Sequence, residues 1–197
     1  MKKTLYLMRH GETRFNVLGK VQGSCDSPLT PRGIEQAKIA GQYFLDQQIV
    51  IDHAYASTQE RACDTLEFVI GNEMPYERLK ALKEMDFGHF EGENARLQPK
   101  GPEYFESFYA NYGGEAAWQV RERMVSGLTA IMERDQHQHV LAVSHNGACF
   151  YFLQSFWQGN QDDLRVSFPN CCIFQYTYEN KKFVLERIIE HDFSELG

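Results

Sequence analysis

No run in this 197-residue chain approaches the roughly 18 consecutive apolar residues that a membrane-spanning helix needs. The apolar stretch behind Lys2 and Lys3 is too short for the h-region of a secretory signal, so no leader is expected. There is no long basic run, and the net charge is −7. Nucleic acid and anionic membranes are therefore not expected as partners. Cysteine is sparse and odd in number: Cys25, Cys63, Cys149, Cys171 and Cys172 contain no C-x-x-C pair, and adjacent Cys171 and Cys172 lack the spacing of a metal knuckle. Reduced thiols in a cytoplasmic protein are the expectation. Internal repeats and low-complexity segments are also missing. With so few cations, any anion site must be built locally from a handful of basic side chains and backbone amides.

What is present is an ordinary globular composition, 43% hydrophobic and 24% charged, long enough for one domain over residues 1–197 with a sizeable core. The spacing predicts a buried strand over residues 3–8 (Leu5-Tyr6-Leu7-Met8) and a loop over 14–29. Thr30-Pro31 opens a helix whose apolar face is Ile34, Ala37, Ala40, Gly41, Phe44 and Leu45. His53–Ala56 reads as a second strand. Ser57-Thr58-Gln59-Glu60 has the capping-box pattern, opening a helix that carries Arg61 and Thr65 and stops at Gly71-Asn72. Residues 76–83 read as a short strand or extended piece. Residues 84–115 are the least regular part, rich in glycine and in aromatics (Phe87, Phe90, Tyr104, Phe105, Phe108, Tyr109, Tyr112), and predict a small, partly helical lobe inserted after the third strand and laid over the sheet's edge. A helix follows over 116–134, then a buried strand over 140–143, a helix to Phe156, and a hairpin at the sheet edge from 172–178 and 182–189. The fold class is α/β: a mostly parallel central sheet with helices on both faces and an antiparallel edge strand.

In such a sheet, Arg9-His10 after the first strand, Arg61 at the start of the helix after the second, and His145 after the buried strand all reach the carboxyl edge, where ligand sites form. Two arginines and two histidines at one point suit a phosphate. Guanidinium groups fork onto phosphate oxygens, and each charge-assisted bond is worth about 1.5–3 kcal/mol. Two nearby cations lower the pKa of an imidazole between them, leaving a ring nitrogen free to attack phosphorus at neutral pH. A carboxylic acid at the rim would supply the proton for the leaving alcohol. Spacing alone does not choose Glu84 over Asp86, Glu91 or Glu93.

Arg9-His10-Gly11-Glu12-Thr13-x-x-Asn16 resembles the signature of the histidine phosphatase superfamily, which comprises cofactor-dependent phosphoglycerate mutases and related phosphatases. Ser57-x-x-x-Arg61-Ala62-x-x-Thr65, Leu82-x-Glu84-x-x-Phe87-Gly88-x-Phe90-Glu91-Gly92 and Ser144-His145-Asn146-Gly147 resemble its later motifs, in family order. Gln22-Gly23 and Asp26-x-Pro28-Leu29-Thr30-x-x-Gly33 also fit. The resemblance implies that His10 becomes phosphorylated and that Arg9, Arg61 and His145 grip the phosphoryl group. It makes Glu84 the proton donor, and Asn16, Gln22, Gly23 and the amide of Asn146 further phosphate contacts. No metal or other cofactor is implied, except a 2,3-bisphosphoglycerate primer if the protein is a mutase. Asn146 departs from the glycine often found after the last histidine, and its side chain narrows or re-equips the pocket.

The lobe after the third motif is short, and within 90–116 only Arg96 and Lys100 are basic. That favours a metal-independent phosphomonoesterase acting on a small phosphorylated metabolite over a phosphoglycerate mutase, which must hold a bisphosphorylated intermediate. A catalytically inactive phospho-ligand binding module is the third reading, disfavoured because the full residue set is present. The edge hairpin leaves a homodimer open. His53, His89, His137, His139 and His191 fall outside every motif, and Glu12 reads as structural support.

Overall fold

The two central strands are apolar along their middles, residues 5–8 and 140–143, because both of their faces are covered there. In the computed structural model, which describes residues 2–71, 74–99, 105–160 and 163–196, six strands form one sheet in the order β3-β2-β4-β1-β5-β6. The strands are β1 (Lys3–Arg9), β2 (His53–Ser57), β3 (Tyr76–Leu79), β4 (His139–Ser144), β5 (Ile173–Glu179) and β6 (Lys182–Ile189). β1 and β2 both run parallel to β4, and β3 runs parallel to β2. β5 is antiparallel to β1, and β6 turns back on β5 at the outer edge. The expected edge hairpin is present, so two antiparallel pairings, not one, finish the sheet.

Alternation sorts the side chains. Leu5, Leu7, Tyr55, Val140 and Ala142 point to one core, with helices α4 (Ala117–Met132) and α5 (Asn146–Phe156). Tyr6, Met8, Ala54, Ala56, Leu141 and Val143 point to the other, with α2 (Pro31–Asp46) and α3 (Glu60–Ile70). On α2 the expected face is buried at Ala37, Ala40, Gly41 and Phe44, but Leu45 lies past its edge and is 70% exposed.

Some local expectations fail for physical reasons. Residues 14–29 are not all loop: Arg14–Leu18 form a one-turn helix, α1, with no buried residue and hence no apolar stripe to betray it. It is nucleated by reciprocal capping. Thr13 Oγ1 accepts from the Asn16 amide (3.2 Å), and Asn16 Oδ1 accepts from the Thr13 amide (3.1 Å). The capping box at Ser57 does not form. β2 runs on through Ser57, Gln59 takes the N-cap position, and no side chain caps α3. β3 ends at Leu79 and passes into a 3₁₀ turn, Lys80–Leu82.

Within the lobe, short 3₁₀ turns occur at Gly88–Phe90, Ala95–Leu97 and Tyr109–Tyr112. Its aromatics pack largely on one another, as in Phe87–Tyr109 (4.9 Å between centroids) and Phe90–Tyr112 (5.4 Å). Asn72, Lys100, Gly101, Pro102 and Tyr104 lie outside the described residues. The lobe covers the carboxyl end of the sheet and not its edge, since Phe87, Gln98 and Phe105 share a cavity with Arg9 and His10. Among the described residues, no helix is long and apolar enough to cross a membrane.

α2 and α3 approach closely at Gly41, where an added Cβ would lie 2.7 Å from the Val69 carbonyl oxygen. Gly41→Ala gains about 1 kcal/mol of helix propensity but must push two backbones apart, at about 1–3 kcal/mol. A lower denaturation midpoint is expected in urea. A raised midpoint would show that the two helices have slack.

Candidate active site

Register brings the motif residues together. Arg9 ends β1 opposite Ser144 at the end of β4, so His10 and His145 follow at the same level. β2 ends beside them at Ser57, and Arg61 enters from the first turn of α3.

His10 is only 4% exposed. Its Nδ1–H donates to the Gly11 carbonyl at 2.7 Å, so Nε2 carries the lone pair. Arg61 Nε donates between two acceptors, His10 Nε2 at 3.3 Å and His145 Nδ1 at 3.1 Å. His145 then donates from Nε2 to Ser57 Oγ at 2.7 Å. The remaining Arg61 nitrogens are held by the carbonyls of Gly23 and Cys25 and by Asp26, each at 2.9 Å. This buried cation is thus paired and hydrogen-bonded, which an internal charge requires. Burial, then Arg61, then Arg9 pull His10 well below the ordinary imidazole pKa. Burial, Arg61 and His10 do the same to His145. Both rings are neutral at pH 7.

His10 opens onto a cavity of about 620 Å³. Arg61 and His145, fully buried behind it, are not in the cavity wall. Among the described residues, Arg9 Nε and Gln22 Nε2, on side chains that line the wall, find no hydrogen-bond partner. The Arg9 guanidinium also donates to the Phe168 carbonyl, and Gln22 Oε1 accepts from Thr13 Oγ1 at 2.6 Å. A buried donor without an acceptor costs about 1–3 kcal/mol, so an anion that accepted from these atoms would offset that cost. Asn16 and Asn146 also line the cavity. The Asn146 side chain turns to the neighbouring segment, donating to Val166 O (3.2 Å) and accepting from the Phe168 amide (3.0 Å). It thereby fixes the carbonyl that holds Arg9. Gly23 is not brought into the cavity wall. Its amide donates to Glu91 at 3.0 Å and its carbonyl to Arg61 is already an acceptor, so the expected phosphate contact is committed to the protein.

Packing distinguishes the four acids. Glu84 lines the cavity, its carboxylate accepting from the amides of Met85 (2.8 Å), Gly147 (2.9 Å) and Ala148 (2.9 Å) at the N-terminus of α5. Asp86 is spent on Ser24 Oγ and the Gly88 amide, both at 2.8 Å. Glu91 accepts from the amides of Gly23, Ser24, Cys25 and Phe87. Glu93 is exposed and outside the cavity wall.

Three supports escaped sequence reasoning. Gln59 donates to the Gly23 carbonyl and accepts from the Glu84 amide (2.9 Å). Asn170 donates to the His10 carbonyl (3.1 Å). Arg123 on α4 donates to the carbonyls of Ala81 (2.9 Å), Lys83 (2.6 Å) and Glu84 (3.0 Å), with Glu115 as its counter-charge. Partners so distant in sequence leave no local spacing signal. Glu12 accepts from Thr30 Oγ1 (2.7 Å), the supporting role expected of it. His53 and His137 stack at 3.7 Å near the opposite, amino end of the sheet, and among the described residues no three His, Cys, Asp or Glu gather as a metal site.

The buried neutral histidines make stability depend on pH. Unfolded, they bind protons below about pH 6.5; folded, they do not until far lower. The unfolded state therefore holds more protons, and stability should be full above pH 6.5 and fall from there towards pH 5. His145→Gln should flatten that decline in thermal melts, whatever its effect at pH 8. An equal slope in both proteins would mean that His145 is charged in the fold.

The histidine phosphatase superfamily (branch 1) family model matches residues 5–191. The chain is 29% identical over 180 residues to an uncharacterized phosphatase, PhoE, of Bacillus subtilis, covering 90% of this chain and 89% of that one. It is 31% identical over 151 residues to the adenosylcobalamin/alpha-ribazole phosphatase of Escherichia coli, covering 73% of each. A solved phosphoglycerate mutase from Bacillus anthracis has the same fold, with TM-score 0.82, 24% identity, and coverage of 94% of this chain and 92% of that one. With a family match across nearly its whole length and the motif residues converging at the head of its sheet, the chain belongs to branch 1 of the histidine phosphatase superfamily.

Proposed function

We propose that the protein is a metal-independent phosphomonoesterase that passes a phosphoryl group through His10 to water. The observation that carries this is the tautomer of His10: with Nδ1–H tied to Gly11, a neutral Nε2 lone pair stands between Arg9, Arg61 and the cavity. That lone pair accepts from Arg61 Nε. Attack requires that His10 Nε2 be released from this bond and presented to a phosphoryl group in the cavity that the ring lines. The P–N bond forms as the P–O bond to the alcohol breaks, and Glu84 in its acid form protonates the departing oxygen. Arg9 Nε and Gln22 Nε2 receive the equatorial oxygens. Water then attacks phosphorus, giving its proton to the Glu84 carboxylate, and the P–N bond breaks to release phosphate.

The cavity wall supports hydrolysis over mutase chemistry. Among its described residues the only cations are Arg9 and Lys20, and Lys20 is exposed at the mouth. Among the described residues of the wall, a second phosphate has no buried cation beyond Arg9 to meet. The Bacillus subtilis and Escherichia coli relatives are named as phosphatases, which agrees with this reading.

Purified protein is expected to release phosphate from p-nitrophenyl phosphate with EDTA present. His10→Ala should lower kcat by about 10⁴-fold or more, and Glu84→Gln by about 10²–10⁴-fold. Activity that survives in His10→Ala, disappears with EDTA, or appears only as isomerisation of 3-phosphoglycerate in the presence of primer would reject the proposal.

A further inference from the structure

We infer that the alcohol half of the substrate is a bulky, uncharged, largely apolar group, most simply one carrying a ring, and that short carboxylate-bearing phosphates are poor ligands. This rests on the phosphomonoesterase reading of the same site. The argument begins with α5. Asn146, Gly147, Phe150, Tyr151 and Gln154 all line the cavity, and their alternating steps of one and three residues put them on one face of the helix. At 1.5 Å per residue, Phe150 lies about 6 Å and Gln154 about 12 Å along the axis from Asn146. One helix thus spans the site from the phosphate end, where Glu84 sits on its first amides, to the mouth.

The middle of that span is apolar. Phe150 and Tyr151 on α5 share the cavity with Phe87 and Phe105 of the lobe and with Val21 and Val166. Phe87, Phe105 and Phe150 are half-buried, so their rings keep apolar surface that a ligand can cover. The other lobe aromatics do not serve this purpose: Phe108, Tyr109 and Tyr112 pack among themselves and Phe90.

The far end offers neutral polar groups. Gln154 Oε1 accepts from Arg121 at 2.8 Å, which leaves its amide hydrogens. Gln98 Nε2 donates to Tyr109 Oη at 2.9 Å, which leaves its carbonyl. The charges nearby are spent. Arg121 is paired with Glu106 at 2.8 Å, and Glu106 itself faces the cavity and repels an anion. Lys20 rests over the Phe15 ring, 5.3 Å from its centroid, outside the apolar span. A carboxylate two or three carbons from the phosphate would reach the aromatic stretch, lose water, and gain no cation among the described residues there. The cavity's 620 Å³ is also the size that holds drug-sized ligands.

The test compares alkyl esters with similar leaving groups, so that chemistry does not mask binding. kcat/KM should be about 10- to 100-fold higher for 3-phenylpropyl phosphate than for 3-phosphoglycerate or phosphoserine. Phe150→Ala should shrink that ratio by about tenfold or more, and Phe105→Ala, on the other wall, provides a second reading if Phe150→Ala does not fold. Calorimetry with 4-phenylbutylphosphonate and 3-carboxypropylphosphonate measures the same preference without turnover. Tighter binding of the phenyl compound supports the inference even if no ester is hydrolysed, a result that would remove the phosphatase reading alone. Equal or tighter binding of the carboxylate compound, or ratios unmoved in a folded variant, would overturn the inference while leaving hydrolysis through His10 intact.

Discussion

The structure turns on one buried guanidinium. Arg61 is fully enclosed, and its Nε–H is divided between His10 Nε2 and His145 Nδ1. A cation cannot be left unpaired there, so the chain around it is arranged to supply acceptors. The 23–26 segment gives two carbonyls and the Asp26 carboxylate. That segment is held in turn by Glu91, whose carboxylate collects amides from Gly23, Ser24 and Cys25. Gln59 ties the same segment to the backbone of Glu84. The cost of isolating one charge therefore links the first loop, the start of α3 and the lobe into one frame.

The second constraint is the pair of histidine tautomers. Gly11 fixes one ring and Ser57 the other, and both choices leave a lone pair facing Arg61. Neutral rings beside a cation are favourable; a protonated ring would face that charge in a dry environment. On the opposite side of His10 the site is unfinished, with Arg9 Nε and Gln22 Nε2 lacking partners. The core is thus satisfied behind His10, while donors without partners among the described residues suit the cavity to the anion that the proposed reaction requires. α5 extends that logic outward. Its first amides seat Glu84, and the next turns set the chemistry of the wall.

Much of this was legible in the sequence, for identifiable reasons. β1 and β4 announce themselves because strands covered on both faces carry unbroken apolar runs, residues 5–8 and 140–143, and α4 because Val120, Met124, Leu128 and Ile131 recur at helical spacing. Arg9, His10, Arg61 and His145 could be gathered in advance because a parallel sheet delivers every strand's end to one edge. α1 was illegible because it buries nothing. Ser57 was misread because its pattern with Glu60 is local, whereas its hydroxyl is claimed by His145, 88 residues away. Gly23 and the choice of Glu84 depended on where Glu91 and Arg123 reach across the fold, which short-range spacing does not encode.

The central claim is that Gly11 selects the nitrogen that reacts. The most direct measurement is to quench the enzyme during turnover, unfold it, and identify the phosphorylated atom by phosphorus–proton NMR on the isolated His10 peptide. The account requires phosphate on Nε2, because Nδ1 is a hydrogen-bond donor in the folded site. Phosphate on Nδ1, or on a residue other than His10, would contradict it.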